Sequence, residues 1–275
     1  MSYQSVFHPS DFTAGDHAAF VHSLKIALAA KGELELLHVD EPGVKREWNE
    51  FPHVRKTLAQ WGVLSASAHR EEVRALGLHA RKVTARSTQV ETAIIEHIMN
   101  REPDLVVLAT HQRSGPSRWL HRTLAEPVSR QARVKTLFVP RRIVGCVSPE
   151  TGIVRLENIL IPVDAQPDSQ AAITAATGLA KLLGCEQVRF EILHVGSADS
   201  QPELDLPQSP GWTWNRSVRQ GDPVEEILAA ADVGNADLVV MATEGRRGFL
   251  DTLRGTVTER VLHGVRCPLL AVPSN

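Results

Sequence analysis

The residues best suited to chemistry in this chain stand in Met241-Ala242-Thr243-Glu244-Gly245, followed after nine residues by Gly255-Thr256-Val257-Thr258-Glu259. Glycine admits backbone conformations that bring N–H groups around phosphate oxygens, and a hydroxyl at the same place adds a donor. The pattern suits a triphosphate. The plainer reading gives Gly245 and Gly255 only the roles of turn and helix start. Phosphoryl transfer finds little support, because Gly255-Thr256 lacks the preceding lysine of a Walker A loop and no His or Lys base is evidently placed beside it.

Other side chains invite weaker readings. His8, His38 and His111 follow apolar runs whose strands should be neighbours, and three imidazoles suit zinc, although neither an i, i+4 pair nor an acidic fourth ligand accompanies them. His38 and His194 fit better as packing residues. Asp11 and Asp164 each end a Pro-x-Asp motif and serve either a ligand or a helix cap. Trp212 and Trp214 in a proline-rich loop, and Trp48 and Trp61 in a helix-forming stretch, read as covers over a sheet or as a partner surface; Arg141-Arg142 reads as a solvated pair. Cys146, Cys185 and Cys267 form no C-x-x-C pair, which argues against a disulfide framework or zinc ribbon and agrees with a reducing compartment.

The elements that must position these residues come from an internal repeat. Val6-Phe7-His8-Pro9-Ser10-Asp11 answers Ile159-Leu160-Ile161-Pro162-Val163-Asp164, and Leu36-Leu37-His38-Val39 answers Ile192-Leu193-His194-Val195. Pro103 to Thr110 answers Ala236 to Thr243, and Lys135 to Pro140 answers Cys267 to Pro273. The later blocks stand 133 positions apart and the opening ones 153, so the second copy is shortened between its second and third strands. Lys45 to Ala75 is rich in helix formers, whereas Gly196 to Gly211 carries Pro202, Pro207 and Pro210 and reads as a loop.

Short, nearly continuous apolar runs predict strands covered on both faces. Between them, Ala19, Phe20, Ser23, Ile26 and Ala27, and likewise Ala171, Ala172, Ala175, Ala176, Leu179, Leu182 and Leu183, trace helix faces. Asp222-Pro223-Val224-Glu225 and Thr88-Gln89-Val90-Glu91 read as helix starts with capping boxes. The expected fold is α/β: two tandem doubly wound, Rossmann-like domains, each a five-stranded parallel sheet with helices on both faces. The expected division is 1–140, a linker at 141–155, and 156–275. In such sheets ligands settle beyond the carboxyl ends of the strands, where strand order reverses.

Taken together, the strand-one Asp, Leu-His-Val, Gly-Asp-Pro, Ala-Asp-Leu-Val-Val-Met and the glycine loop resemble the universal stress protein family, along nearly the whole chain and twice over. ATP-binding members carry G-x2-G-x9-G-[S/T], kept here as Ala242-x2-Gly245-x9-Gly255-Thr256. The resemblance implies nucleotide contacts from Pro162, Val163 and Asp164, from Val195 beside the adenine, and from Met241, Ala242, Gly245, Gly255, Thr256, Val257 and Thr258 around the phosphates. Ala242 costs roughly 1–2 kcal/mol if that position requires a left-handed backbone. Glu244 adds an acid that Arg246 and Arg247 offset. The first copy reads Ala109-x2-Gln112-x9-Arg122-Thr123 and has lost all three glycines.

The function so implied is that of a stress-response protein binding ATP or a related adenine nucleotide, with Mg2+ as companion, in its C-terminal domain, as a regulator or sensor without dedicated catalysis. A slow ATP hydrolase, and an interaction module with both sites vestigial, are the alternatives. The resemblance further implies that the two fifth strands meet across a pseudo-dimer; a homodimer and a regulatory protein partner are expected. A net charge of -2 gives no field to attract nucleic acid or an anionic membrane. No apolar run approaches the roughly 18 residues of a membrane span, and Met1 to Asp11 lacks the order of a secretion signal. A cytoplasmic location is expected.

Overall fold

The computed structural model describes residues 2–40, 50–110, 134–141, 143, 145–244 and 256–274. The first copy of the repeat contributes β1 (Ser5–Pro9), α1 (His17–Ala30), β2 (Glu33–Asp40), α2 (Val54–Gln60), α3 (Arg70–Ala75), β3 (His79–Arg86), α4 (Val90–Arg101), β4 (Leu105–Thr110) and β5 (Lys135–Pro140). The second contributes β6 (Asn158–Val163), α5 (Gln170–Leu182), β7 (Val188–Val195), β8 (Trp212–Arg219), α6 (Pro223–Val233), β9 (Leu238–Thr243), α7 (Val257–Gly264) and β10 (Leu269–Pro273).

These strands form one sheet in the order β3-β2-β1-β4-β5-β10-β9-β6-β7-β8. Within each copy all neighbours are parallel, and the copies join through an antiparallel pair, with Leu269 opposite Phe138 and Ala271 opposite Thr136. The two expected five-stranded sheets are therefore continuous. Strand order reverses between β1 and β4, and again between β6 and β9. There the pairing is confined to the amino ends, Val6 and Phe7 against Leu105 and Val106, Ile159 and Leu160 against Leu238 and Val239. Beyond those rungs the strands part, and each parting opens a crevice at their carboxyl ends.

The strands that flank the crevices are apolar because helices cover both faces: Leu105, Val106 and Val107 of β4 and Leu238 to Met241 of β9 are buried. Alpha-helices α1 and α5 share one face and one core, which holds Phe20, Leu24, Ala172, Ala176 and Leu179. Tyr3 crosses between the copies, donating its hydroxyl to the Ala175 carbonyl at 2.9 Å. On the other face, α4 covers Phe7 and Val106, while α6 and α7 cover Val239 and Leu269.

Four local expectations are corrected. Lys45 to Ala75 forms no single helix over its described part; α2 and α3 are separated at Trp61–His69, where Gly62 turns with φ 71°. Trp212 and Trp214 belong to β8, not to the proline-rich loop, and their rings lie against Phe190 at 5.1 and 4.2 Å. The helix start expected at Thr88 is displaced by one residue: Gln89 is the cap, and its amide donates to Ser87 Oγ at 3.0 Å. Arg141 is half-buried rather than freely solvated, because it closes on Asp11, as described below; Arg142 lies outside the described residues. At the other capping site the expectation holds, with Asp222 Oδ1 accepting from the amides of Val224 at 2.9 Å and Glu225 at 3.2 Å. Gly196 to Gly211 contains one 3-10 turn, Ala198–Ser200, and is otherwise irregular.

Candidate functional site

In the second copy the crevice is a cavity of about 400 Å³. The end of β6 supplies Pro162, Val163 and Asp164, the end of β7 supplies Val195, and β9 supplies Met241 and Ala242. Thr256, Val257 and Thr258 enter from the start of α7. All these positions singled out from the sequence line one space, though they come from four separate segments. Gly245 and Gly255, with Arg246 and Arg247, lie outside the described residues. The sequence reading missed Gln166, Pro167 and Ser169 on one wall and Pro223 and Ile227 on another. Pro223 was detectable, since it opens the helix capped by Asp222 and so follows the strand-end pattern directly.

Local chemistry explains how the walls hold their shape. Thr256 caps α7, its Oγ1 accepting from the Glu259 amide at 3.3 Å, so the helix presents its N-terminal end to the crevice. Free N–H groups and the helix dipole there favour an anion. Ser169 Oγ donates to the Asp164 carbonyl at 2.9 Å and accepts from the Asp164 amide at 3.0 Å, fixing the turn after β6. The Asp164 carboxylate accepts only from the Ala165 amide at 2.7 Å and has no ion pair among the described residues. His194 donates from Nδ1 to the Val163 carbonyl at 3.1 Å, and its Nε2 meets Ser200 Oγ at 2.9 Å. It is a cross-brace between strand ends.

His38 makes the same brace in the first copy, to the Ser10 carbonyl at 2.7 Å, but around it the crevice is furnished differently. Asp11 accepts from the Thr13 amide at 3.0 Å and the Thr13 hydroxyl at 2.7 Å, and pairs with Arg141 Nη2. Arg141 Nη1 also reaches Thr13 Oγ1 at 2.9 Å. Burial opposes the charge on Asp11, yet Thr13 and Arg141 outweigh it and hold its pKa below the ordinary value. Phe12, at φ 61°, stacks on His38 at 3.9 Å and meets Phe51 edge-on at 4.7 Å.

Beneath this layer His8 is fully buried, with Nδ1 donating to the Val107 carbonyl at 2.9 Å and Nε2 3.3 Å from Asp16, which also accepts from Ser10 Oγ at 2.6 Å. Burial disfavours the imidazolium of His8, but Asp16, the Val107 carbonyl and Asp11 overcome it and raise the pKa. Both ring nitrogens of His8 therefore face protein groups, and His38 Nε2 lies 3.4 Å from Asp40. The third histidine of the zinc reading, His111, lies outside the described residues, and among those described no group of three His, Cys, Asp or Glu is placed to hold a metal ion. The thiols offer no nucleophile: burial pushes Cys146 up to about 12, Cys185 to about 11 and Cys267 to about 12.

Comparison with known proteins agrees with this architecture. The family model described as the universal stress protein family matches residues 2–140 and 213–273. A universal stress protein of Methanocaldococcus jannaschii is 27% identical over 143 residues, covering 42% of this chain and 81% of that protein. One from Synechocystis is 24% identical over 151 residues, covering 49% and 95%. Among solved structures, a universal stress protein from Archaeoglobus fulgidus overlays all of both chains with a TM-score of 0.60 at 16% identity. The cytoplasmic domain of a prokaryotic cation chloride cotransporter covers 98% of this chain and 95% of its own at a TM-score of 0.54 and 11% identity. These last two are likenesses of fold. With the family pattern matched in both copies of the repeat, the chain belongs to the universal stress protein family.

Proposed function

We propose that the second copy binds an adenine nucleotide, ATP or a close relative, and that the protein acts as a nucleotide-dependent regulator without dedicated catalysis. The observation that supports this most is convergence: the strand ends Pro162–Asp164, Val195 and Met241–Ala242 share one cavity with the capped start of α7. Its 400 Å³ lies within the roughly 300–1,000 Å³ usual for small-ligand sites. The described walls carry the acids Asp164 and Glu244 and no lysine or arginine. Phosphate charge would therefore be met by the helix N-terminus and by Mg2+ travelling with the nucleotide.

The same reading divides the chain into a first domain at 1–140, a connector at 141–155 and a second domain at 156–275. Only the second is live, because Arg141, Phe12 and Phe51 furnish the first crevice from within. A cytoplasmic location fits the three free cysteines. A homodimer belongs to the same reading, and light scattering that finds a monomer at micromolar concentration removes it.

Isothermal titration of the full chain with ATP should give one site per chain. Gly255→Arg should weaken binding by about two to four orders of magnitude, since it removes about two charge-assisted contacts; Arg122→Ala should leave the stoichiometry unchanged. Two sites per chain, or normal binding by Gly255→Arg, contradicts the assignment. Absence of any heat favours the interaction-module reading, and linear phosphate release over many turnovers favours the hydrolase.

A further inference from the structure

Away from both crevices, α2 and α3 stand off the outer edge of the first copy and leave a groove of about 1080 Å³. Its floor comes from the amino-terminal parts of β2 and β3, Glu33–Glu35 and His79–Lys82, whereas the first crevice lies at their carboxyl ends. Six basic side chains line it, Arg55, Lys56, Arg70, Arg74, Arg81 and Lys82, and three of them, Arg55, Lys56 and Lys82, act together on His53 in the same wall. None of the three has a carboxylate partner within ion-pair distance among the described residues; Arg55 Nη1 donates instead to the Ala68 carbonyl at 3.2 Å. The wall also carries three acids, Glu33, Glu35 and Glu71, fewer than its six cations, and Glu35 is already committed to Arg81, His97 and Arg101.

We propose that this groove is a binding site for a small polyanion bearing at least two phosphate groups, held by Arg55, Lys56 and Lys82. Charged residues on an edge strand commonly serve only to prevent strand-to-strand association. That role needs solvated charges facing outward along the edge. Lys82 is instead partly buried and lines the groove, with its ammonium 5.4 Å from the centre of the Phe51 ring. Burial first, and then Arg55, depress the Lys82 pKa; burial, Lys82, Lys56 and Arg55 depress that of His53. Each group thus feels its neighbours as excess positive charge, which an anion relieves.

A groove of this size, just above the usual small-ligand range, has room for a small molecule with several phosphates, and a net charge of -2 provides no basic track beyond it for a nucleic-acid backbone. Condensed phosphate and phosphate esters share the recognised chemistry. Arg55 supplies a forked donor, and the two lysines supply point charges at separate places on the wall.

The test is isothermal titration of the full chain with inorganic tripolyphosphate, and in a second arm with a hexose bisphosphate. Saturable binding is expected in at least one arm, and the stronger arm identifies the source. Lys56→Gln/Lys82→Gln should weaken it by about 10- to 100-fold, and the exposed single change Lys56→Gln by a smaller factor. Gly255→Arg should leave this binding unchanged, which separates it from the nucleotide reading in the other copy. Absence of binding in both arms, equal affinity in the folded double variant and the wild type, or a single-stranded oligonucleotide binding through these residues where both small probes fail, would each overturn the proposal.

Discussion

Asp11 and Asp164 occupy the same place in the repeat and carry different electrostatic loads. Asp11 is neutralised by Arg141 and two donors from Thr13, while Asp164 holds a single local amide. Stability should therefore respond to one and ligand binding to the other. Arg141→Gln should cost about 1 kcal/mol in urea unfolding, a modest figure because the pair is partly solvated, whereas Asp164→Asn should change unfolding by less than about 0.5 kcal/mol and weaken ATP. Equal effects on unfolding would contradict this division. His22 gives a pH signature. Its Nδ1 donates to the Ala18 carbonyl at 2.7 Å and its Nε2 accepts from the Cys146 amide at 3.0 Å, so the folded protein needs the neutral ring. Burial lowers its pKa from 6.5 to about 4. Because the unfolded chain binds the proton more readily, the contribution is complete above 6.5 and is lost as pH falls towards 4, on the order of 3 kcal/mol in total. A His22→Gln protein should show a flatter dependence of unfolding free energy on pH across that window, and parallel curves would sink the assignment.

At the scale of elements, the sequence was most legible where one short pattern decides the structure. Apolar runs such as Leu238 to Met241, short and rich in β-branched residues, fit strands covered twice, and Asp222-Pro223 starts a helix by local hydrogen bonding. It was least legible where distant residues decide. The pairing of Arg141 with Asp11 spans 130 positions and has no local sign. Trp212 and Trp214 alternate with Thr213 and Asn215 at the strand period, yet the prolines before them hid the start of β8. Gly145 and Gly152 were visible only as interruptions, whereas the structure gives them contacts. Gly152, at φ 66°, lies where an added Cβ would come within 2.5 Å of the Trp61 ring, and that ring's Nε1 donates to the Pro149 carbonyl at 3.0 Å. Gly152→Ala should thus cost about 2–4 kcal/mol, combining left-handed strain with overpacking. Gly62→Ala, at φ 71° with nothing within 4 Å, should cost only the strain of about 1–2 kcal/mol. Similar losses in the two would show that the connector does not rest on Trp61. The candidate site was legible to the extent that family spacing located it; its second wall, Pro167 and Ile227, emerges only when the chain is folded.

For the molecule as a whole, the sheet runs unbroken through β5 and β10, and one apolar core joins α1 to α5. Unfolding should accordingly be a single transition: urea curves followed by far-ultraviolet circular dichroism and by tryptophan fluorescence should coincide. Two separated midpoints would mean that the copies melt independently. The antiparallel junction has a consequence for direction. Because β10 runs opposite to β5 while α1 and α5 share a face, the carboxyl ends of the two strand sets point away from each other, and the two crevices open at opposite ends of the sheet. A symmetric pair of identical domains would look the same from either end. This chain has a head and a tail: the mouth beside Val195 and Thr256 opens at one end, and the Asp11–Arg141 pair closes on itself at the other, so the two ends offer any visitor different chemistry.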